Sequence, residues 1–407
     1  MRRQVPWFLL GAALAATAVF LIYQIPAVKS RLEWRLDAAS GIVRGWLRPG
    51  NTLPTPSGSG GTAQPTVAPR SPTSQAPQPT SATVIPTPTP RPETVSLPAP
   101  AWEKQDWNNC GPATLALALR MYGWSGDQFD ISDLLKPDRG DKNVNIEELV
   151  YYVRTRAGWL QADYRVGGTI ARLKDFLAAG YPVIVEKGFI LDPTDGGGGW
   201  AGHYLLLTGY DDVQGVFITQ DSNKGADKPV SYAELDDGWR AFNRVYLFLY
   251  DPADQPRIDS LLGDDADPDA NRDHAMAAAQ AEIDRDPKDA YAWFNLGSNL
   301  VYFERYGEAA QAFDTARDIG LPWRFSRYQF GPYIAYFHQG RFQDIIDLAD
   351  YTTFRTQKAE ESYLWRGWAR YRLGELVPAI DDWRHALQIN PNYQDAAYAL
   401  EFVGASR

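Results

Sequence analysis

A chain of 407 residues that is 44% apolar, 13% aromatic and 22% charged holds enough apolar material for more than one core. Its net charge of −10 is uneven: the first hundred residues carry nine Lys/Arg against three Asp/Glu, and the remainder is acidic, so nucleic acid is excluded as an expected partner. A single cysteine rules out an intrachain disulfide, no Cys/His cluster has zinc-site spacing, and neither metal nor cofactor is expected.

Between Arg3 and Lys29 no residue is charged, and Val5 to Tyr23 (5–23) is long enough to cross a ~30 Å hydrocarbon core. The expectation is an uncleaved signal-anchor in the cell membrane. Residues 1–4 would be cytoplasmic, with Arg2 and Arg3 inside, and the folded domains would be extracytoplasmic. Residues 24–48 then form a juxtamembrane segment, where Leu32, Trp34, Leu36, Ile42, Val43, Trp46 and Leu47 stand among basic residues. From 49 to 100, fourteen of fifty-two residues are Pro and sixteen are Ser or Thr, a composition that buries no core and predicts a disordered, extended stalk.

Residues 101–250 open on Gln105-Asp106-Trp107-Asn108-Asn109-Cys110-Gly111-Pro112-Ala113-Thr114. Pro112 suits the first turn of a helix and Ala113 to Tyr122 are mostly apolar helix formers, so Cys110 is predicted at a helix N-terminus. Unpaired N–H groups and the helix dipole there stabilise a thiolate, the form that attacks carbonyls. Further helices are predicted over Ile146–Arg156, capped by Asn145, and over Thr169–Ala179, ended by Gly180. After Gly180 the pattern turns to short β-branched and aromatic runs: Tyr181–Val185, Tyr204–Thr208, Val216–Thr219 and Val245–Tyr250. Helices followed by antiparallel strands give an α+β domain.

Past a linker at 251–269, residues 270–407 read as helical and repetitive. Trp293, Gly297, Tyr306-Gly307, Ala309, Phe313, Ala316 and Pro322 return seventy residues later as Gly367, Gly374, Ala379, Trp383, Ala386 and Pro391, with Gly340, Phe342 and Ile345 marking a unit between. From Asp289 to Arg407 this resembles tetratricopeptide repeats, which implies an all-α domain of stacked helix pairs that binds a peptide or protein partner or acts as a spacer.

A nucleophilic cysteine needs a base. His274, His338 and His385 lie in the helical C-terminal region, which leaves His203 at the start of a strand and just after the Gly196–Gly199 run. Asp221, at the end of the next strand, is the candidate to orient the imidazole; Asp211 and Asp212 are expected to cap the turn between. Asn109 to Ala113, Gly202-His203-Tyr204 with Thr208-Gly209-Tyr210-Asp211-Asp212 after it, and an aspartate one strand later resemble the papain-like cysteine peptidases of the bacteriocin-processing, double-glycine leader type and their stand-alone relatives. The resemblance covers about Ala101 to Tyr250. It implies Cys110 as nucleophile, His203 as base, Asp221 as orienting acid, and Gln105, five residues before the cysteine, as oxyanion donor. No Gly-x-x-x-x-Gly-Lys-Ser/Thr loop accompanies it, so coupled peptide export is not expected.

Together these features predict a membrane-anchored, extracytoplasmic thiol peptidase with a repeat domain for substrate or partner docking. The alternatives are another acyl transfer on the same residues (transpeptidase, transglutaminase or amidase) or an inactive peptide-binding scaffold.

Overall fold

The structure, a computed structural model, describes residues 5–47, 52–56, 91–191 and 199–407. Most of the Pro-rich stretch and most of the Gly196–Gly199 run lie outside these residues. Two helices come first, α1 (Val5–Tyr23) and α2 (Pro26–Leu47). They correct the membrane assignment: among the described residues no helix is long and apolar enough to cross a membrane. The uncharged stretch between Arg3 and Lys29 does not form one helix. It breaks at Gln24 and Ile25, and α2 restarts with Lys29, Arg31, Glu33, Arg35 and Asp37 among its apolar residues. The single-pass anchor and the extracytoplasmic placement that depended on it are therefore withdrawn.

After β1 (Thr94–Ser96) come α3 (Cys110–Arg120), α4 (Gln128–Leu135), α5 (Ile146–Arg156), β2 (Gln161–Arg165), α6 (Ile170–Ala178), β3 (Val183–Leu191), β4 (Gly199–Asp211), β5 (Val216–Asp221), β6 (Gly225–Ser231), α7 (Tyr232–Trp239) and β7 (Tyr246–Tyr250). One antiparallel sheet runs β2-β7-β3-β4-β5-β6, and β1 lies beside β4 at Gly209–Asp211, past the end of the β3 pairing at Leu207. Both faces of this sheet are covered. Ile184, Leu206, Leu247 and Leu249 pack with Leu115, Leu119 and Leu149 of the helices α3 and α5. Their strand neighbours Val185, Leu207 and Phe248 pack on the opposite face with Phe176, Leu235 and Trp239 of α6 and α7. Two-sided burial explains why these strands read in the sequence as unbroken apolar runs rather than as alternations.

The remainder is helical: α8 (Gln255–Leu262), α9 (Pro268–Arg285), α10 (Ala290–Tyr302), α11 (Tyr306–Ile319), α12 (Gly331–His338), α13 (Phe342–Arg355), α14 (Glu360–Arg372), α15 (Leu376–Ile389) and α16 (Gln394–Phe402). The repeat geometry follows from its small residues. A Cβ on Gly297 would stand 2.6 Å from Phe313, and one on Gly367 would stand 2.4 Å from Trp383, so in both units glycine lets the second helix press an aromatic ring onto the backbone of the first. The papain-like α+β part and the repeats are not separate bodies. One buried cluster runs from Leu115 and Tyr204 through Phe294, Phe325 and Tyr333 to Ala369. Side-chain amides stitch the seam, with Asn295 donating to Arg240 O (2.8 Å), Gln329 to Ala241 O (2.8 Å) and Asn390 to Leu135 O (2.8 Å).

At the far end of the seam, carboxyl groups crowd together. Asp141 and Glu148, from the α4–α5 segment, face Glu360 and Glu361 at the start of α14, with the buried Lys136 beside Asp141. Burial first, and mutual repulsion second, push Glu148 up to about 8 and Glu360 and Glu361 well above the ordinary carboxyl range; burial pushes Asp141 up to about 6 despite Lys136. The folded state thus binds more protons than the unfolded chain. The stability this confers is fully present below the ordinary Glu value of ~4.3 and is lost as pH rises through about 8. The thermal midpoint should fall between pH 5 and pH 8.5, and Glu148→Gln, which keeps the acceptor for Asn145 N–H (2.7 Å), should flatten that slope. A midpoint that rises over this range would contradict the assignment.

Candidate active site

Cys110 is the first residue of α3, two residues earlier than Pro112 alone suggests. Asn108 turns the chain into the helix with φ +55°, a left-handed conformation that asparagine tolerates. The approach is held from α4 by Gln128. Its Oε1 accepts from Asp106 N (2.6 Å) and Asn109 Nδ2 (2.9 Å), and its Nε2 donates to Glu103 Oε2 (3.0 Å) and Lys104 O (2.9 Å). All four polar capacities used here go to residues 103–109, which fixes the thiol at the helix mouth.

The base candidate comes from β4 and the acid candidate from β5. Leu206 stands opposite Gln220, so Asp221, one residue on, lies diagonally across from His203, within side-chain reach. The Nε2 of His203 meets Asp221 Oδ1 at 2.9 Å, and the imidazole is near enough to the Cys110 thiol to shift its titration. Asp221 Oδ1 accepts in addition from Asn223 N (2.8 Å) and Lys224 N (3.0 Å), so one oxygen both closes the turn after β5 and holds the ring. Phe189 packs against the imidazole with ring centroids 5.3 Å apart, and Trp102 Nε1 donates to Asp221 O (3.1 Å).

The electrostatics follow from these contacts. Burial pushes the Cys110 thiol up, but the hydrogen bond and charge of His203, with N–H groups of Tyr204 and Gly111, more than offset it, leaving the thiol below its ordinary value. Burial works against the charged imidazole, yet Asp221 and Cys110 raise it to about 9. Asp221 is held low by His203 and two backbone N–H groups against the opposing effect of burial. Both shifts move the pair toward thiolate and imidazolium relative to the free side chains.

Gln105 lies beside the aspartate end: its N–H donates to Ser222 O (2.8 Å) and its Oε1 accepts from Ser222 Oγ (2.9 Å), which leaves Nε2 as the donor end. Asp211 and Asp212 stand at the other end of β4. Asp211 accepts from Gln214 N (3.0 Å) and so caps the turn as expected, whereas Asp212 pairs instead with Lys174 of α6 and accepts from the Tyr232 hydroxyl (2.7 Å). Sequence reasoning did not find Gln128, Phe189, Trp102 or Ser222. Ser222 directly follows Asp221 and was within reach; the other three come from elements whose pairing only the fold reveals.

The repeats also reach the site. In the connection between α11 and α12, Phe325 and Tyr328 pack on Trp200 (centroids 5.1 and 5.7 Å), and Tyr328 lies against Gly202, next to His203.

A two-sided antiparallel sheet with a cysteine at the mouth of a helix packed across it defines a papain-like fold. Within that class, residues 96–249 match the Peptidase C39-like family, the group the sequence motifs resemble. Among solved structures, a protein described as a C39-like peptidase from Bacillus anthracis is 19% identical, over 39% of this chain and 97% of its own, with a TM-score of 0.32. A double glycine motif protease from an AMS/PCAT transporter, solved in complex with the leader peptide, is 18% identical over 38% of this chain and 94% of its own (TM-score 0.28). A tetratricopeptide-repeat protein described as having an unusual peptide-binding site is 15% identical over 32% of this chain and 84% of its own (TM-score 0.20). No curated protein matches the chain.

Iodoacetamide alkylation of Cys110 should titrate below the free-thiol value of ~8.5. In His203→Ala the apparent value should move above it, because burial then acts without the opposing cation. Identical profiles for the two proteins would show that the imidazole does not control the thiol.

Proposed function

We propose that the chain is a cysteine peptidase that works through Cys110, His203 and Asp221, with Gln105 as oxyanion donor and the repeats as a docking surface for peptide or protein substrates and partners. The observation that carries the reading is the buried His203 imidazole, held by the Asp221 carboxylate at 2.9 Å, with its own affinity for a proton raised and that of the Cys110 thiol lowered. Cys110 Sγ attacks a peptide carbonyl; its oxygen, gaining charge, is met by the Gln105 amide and the N–H groups at the start of α3. His203 gives its proton to the departing amine and then takes one from water, which releases the acyl group. Asp221 keeps Nε2 protonated so that the other ring nitrogen faces the sulfur.

The test is labelling of the full chain with a thiol-directed peptidyl electrophile, with and without Cys110, followed by product analysis. Hydrolysed peptide supports the reading, and transfer to an amine acceptor would replace it with transpeptidation. A thiol that reacts only as a free cysteine does would leave a peptide-binding scaffold. Asp221→Ala should lower kcat by about 10²-fold or more, whereas Asp221→Asn, which keeps an acceptor for the imidazole N–H, should stay within about 10-fold. Equal and negligible effects from both would remove the aspartate from the reaction. Gln105→Ala should cost on the order of 10²-fold in kcat with little change in KM, and a pure KM effect would assign it to binding instead.

A further inference from the structure

Far along the chain from its own position, the segment Thr52-Leu53-Pro54 lies in a pocket built by the repeats. Leu53 is 3% exposed, within the core cluster that includes Leu321 and Tyr336. Its N–H donates to Leu321 O at 2.9 Å, and Thr52 forms an antiparallel bridge with Pro322. Tyr351 of α13 donates its hydroxyl to Thr52 O (2.9 Å). Arg317 of α11, 1% exposed, donates to Pro54 O through Nε (2.9 Å) and Nη2 (2.7 Å), while its Nη1 is held by Tyr336 Oη at 3.0 Å. Apart from the Arg317–Tyr336 bond, each of these hydrogen bonds reads the main chain of the segment, and the side chains taken up are Leu53 and, two residues beyond Pro54, Pro56.

Recognition of this kind is strand addition: main-chain hydrogen bonds supply affinity to any extended peptide, and a pocket for one side chain supplies selectivity. Proline after the leucine suits such a site, because it needs no partner for an N–H and enters already extended. The buried Arg317 adds a planar two-pronged donor that a carbonyl satisfies.

We infer that this pocket is a recognition site for extended peptides containing Leu-Pro, occupied in cis by Thr52–Pro54 and able to take the same sequence in trans. The inference rests on the reading of the repeats as a docking surface and gives that surface its place and ligand class. The location is also apt. The connection that receives Leu53 at Leu321 continues directly to Phe325 and Tyr328, which pack on Trp200 and Gly202 beside His203. A bound peptide would thus touch the same short stretch that walls the site.

The test uses the full chain carrying Cys110→Ala, so that nothing is cleaved, and a dye-labelled peptide of residues 50–58. With Leu53→Ser added to free the pocket, the peptide should bind saturably, at least about tenfold more tightly than to the chain that keeps Leu53, where the tethered segment competes at millimolar effective concentration. The same peptide with Leu replaced by Ser, or a chain that also carries Arg317→Lys, should lose that binding. No saturable binding to a cooperatively folding Leu53→Ser chain overturns the inference, and so does binding indifferent to Arg317 and to the peptide leucine. Should Leu53→Ser fail to fold, a dye on Thr55→Cys in the Cys110→Ala chain reports displacement: excess unlabelled peptide should raise its mobility, and an unchanged signal overturns the inference. Because the readout is binding, its failure and a failure of the peptidase reading are separate results.

Discussion

The antiparallel register between β4 and β5 is the constraint on which the candidate site depends. It sets Leu206 opposite Gln220 and so brings His203 to Asp221; slipping it by one residue would turn every side chain of β5 to the opposite face. The register is fixed by two-sided burial, since Leu205 and Leu207 serve one face of the sheet while Tyr204 and Leu206 serve the other. The packing that stabilises the sheet is therefore also what aims the imidazole. Cys110 is then brought up by α3, whose Thr114 hydroxyl donates to Tyr204 O (3.3 Å) on the same strand.

The same sheet explains how the two parts of the chain are joined. Tyr204 faces α3 and bonds through its hydroxyl to Val144 O (2.9 Å), in the segment that continues to the carboxyl cluster at α14. Trp200 and Gly202, at the opening of β4, meet the α11–α12 connection. A strand that carries the base candidate is thus braced by repeat residues at Trp200 and Gly202 and, just past His203, connected through Tyr204 and Val144 to the repeat seam. The continuous apolar core makes the repeats part of the site's support rather than an appendage, and a site held on rigid, mutually braced elements keeps its geometry better than one on loops.

The Pro-rich stretch illustrates how a local composition rule and a tertiary fact can both hold. Its composition predicts no core, yet Leu53 is buried by the repeats and Val95 packs beside β4. Its described ends pair with distant segments, one by a bridge to Pro322 and one by pairing with Gly209–Asp211. Neither pairing is visible in composition, because the main chain forms the contacts.

The sequence by itself determined the α+β and helical-repeat architecture and the helix that begins at the only cysteine, and it offered His203 as that cysteine's candidate partner, since local propensity, periodicity and the scarcity of Cys and His are all properties of the linear chain. α5 was read at Ile146–Arg156, where it stands, because its cap and its apolar spacing are local. The edge strand β6 was missed: Ala226, Asp227 and Lys228 are exposed, and such a strand forms only because β5 offers it hydrogen bonds. The apolar run Val5–Tyr23 was rightly read as helical and stands as α1, but the membrane span expected of it is not supported, since among the described residues no helix is long and apolar enough to cross a membrane. Tertiary structure alone decided that Gln128 holds the cysteine loop, that Phe189 backs the imidazole, that Tyr328 walls the site from 125 residues beyond His203, and that Arg317 grips the carbonyl of Pro54. Each of these contacts joins elements far apart in the chain, and the free energy that selects them comes from burial and partner satisfaction in the folded state, which no local window contains.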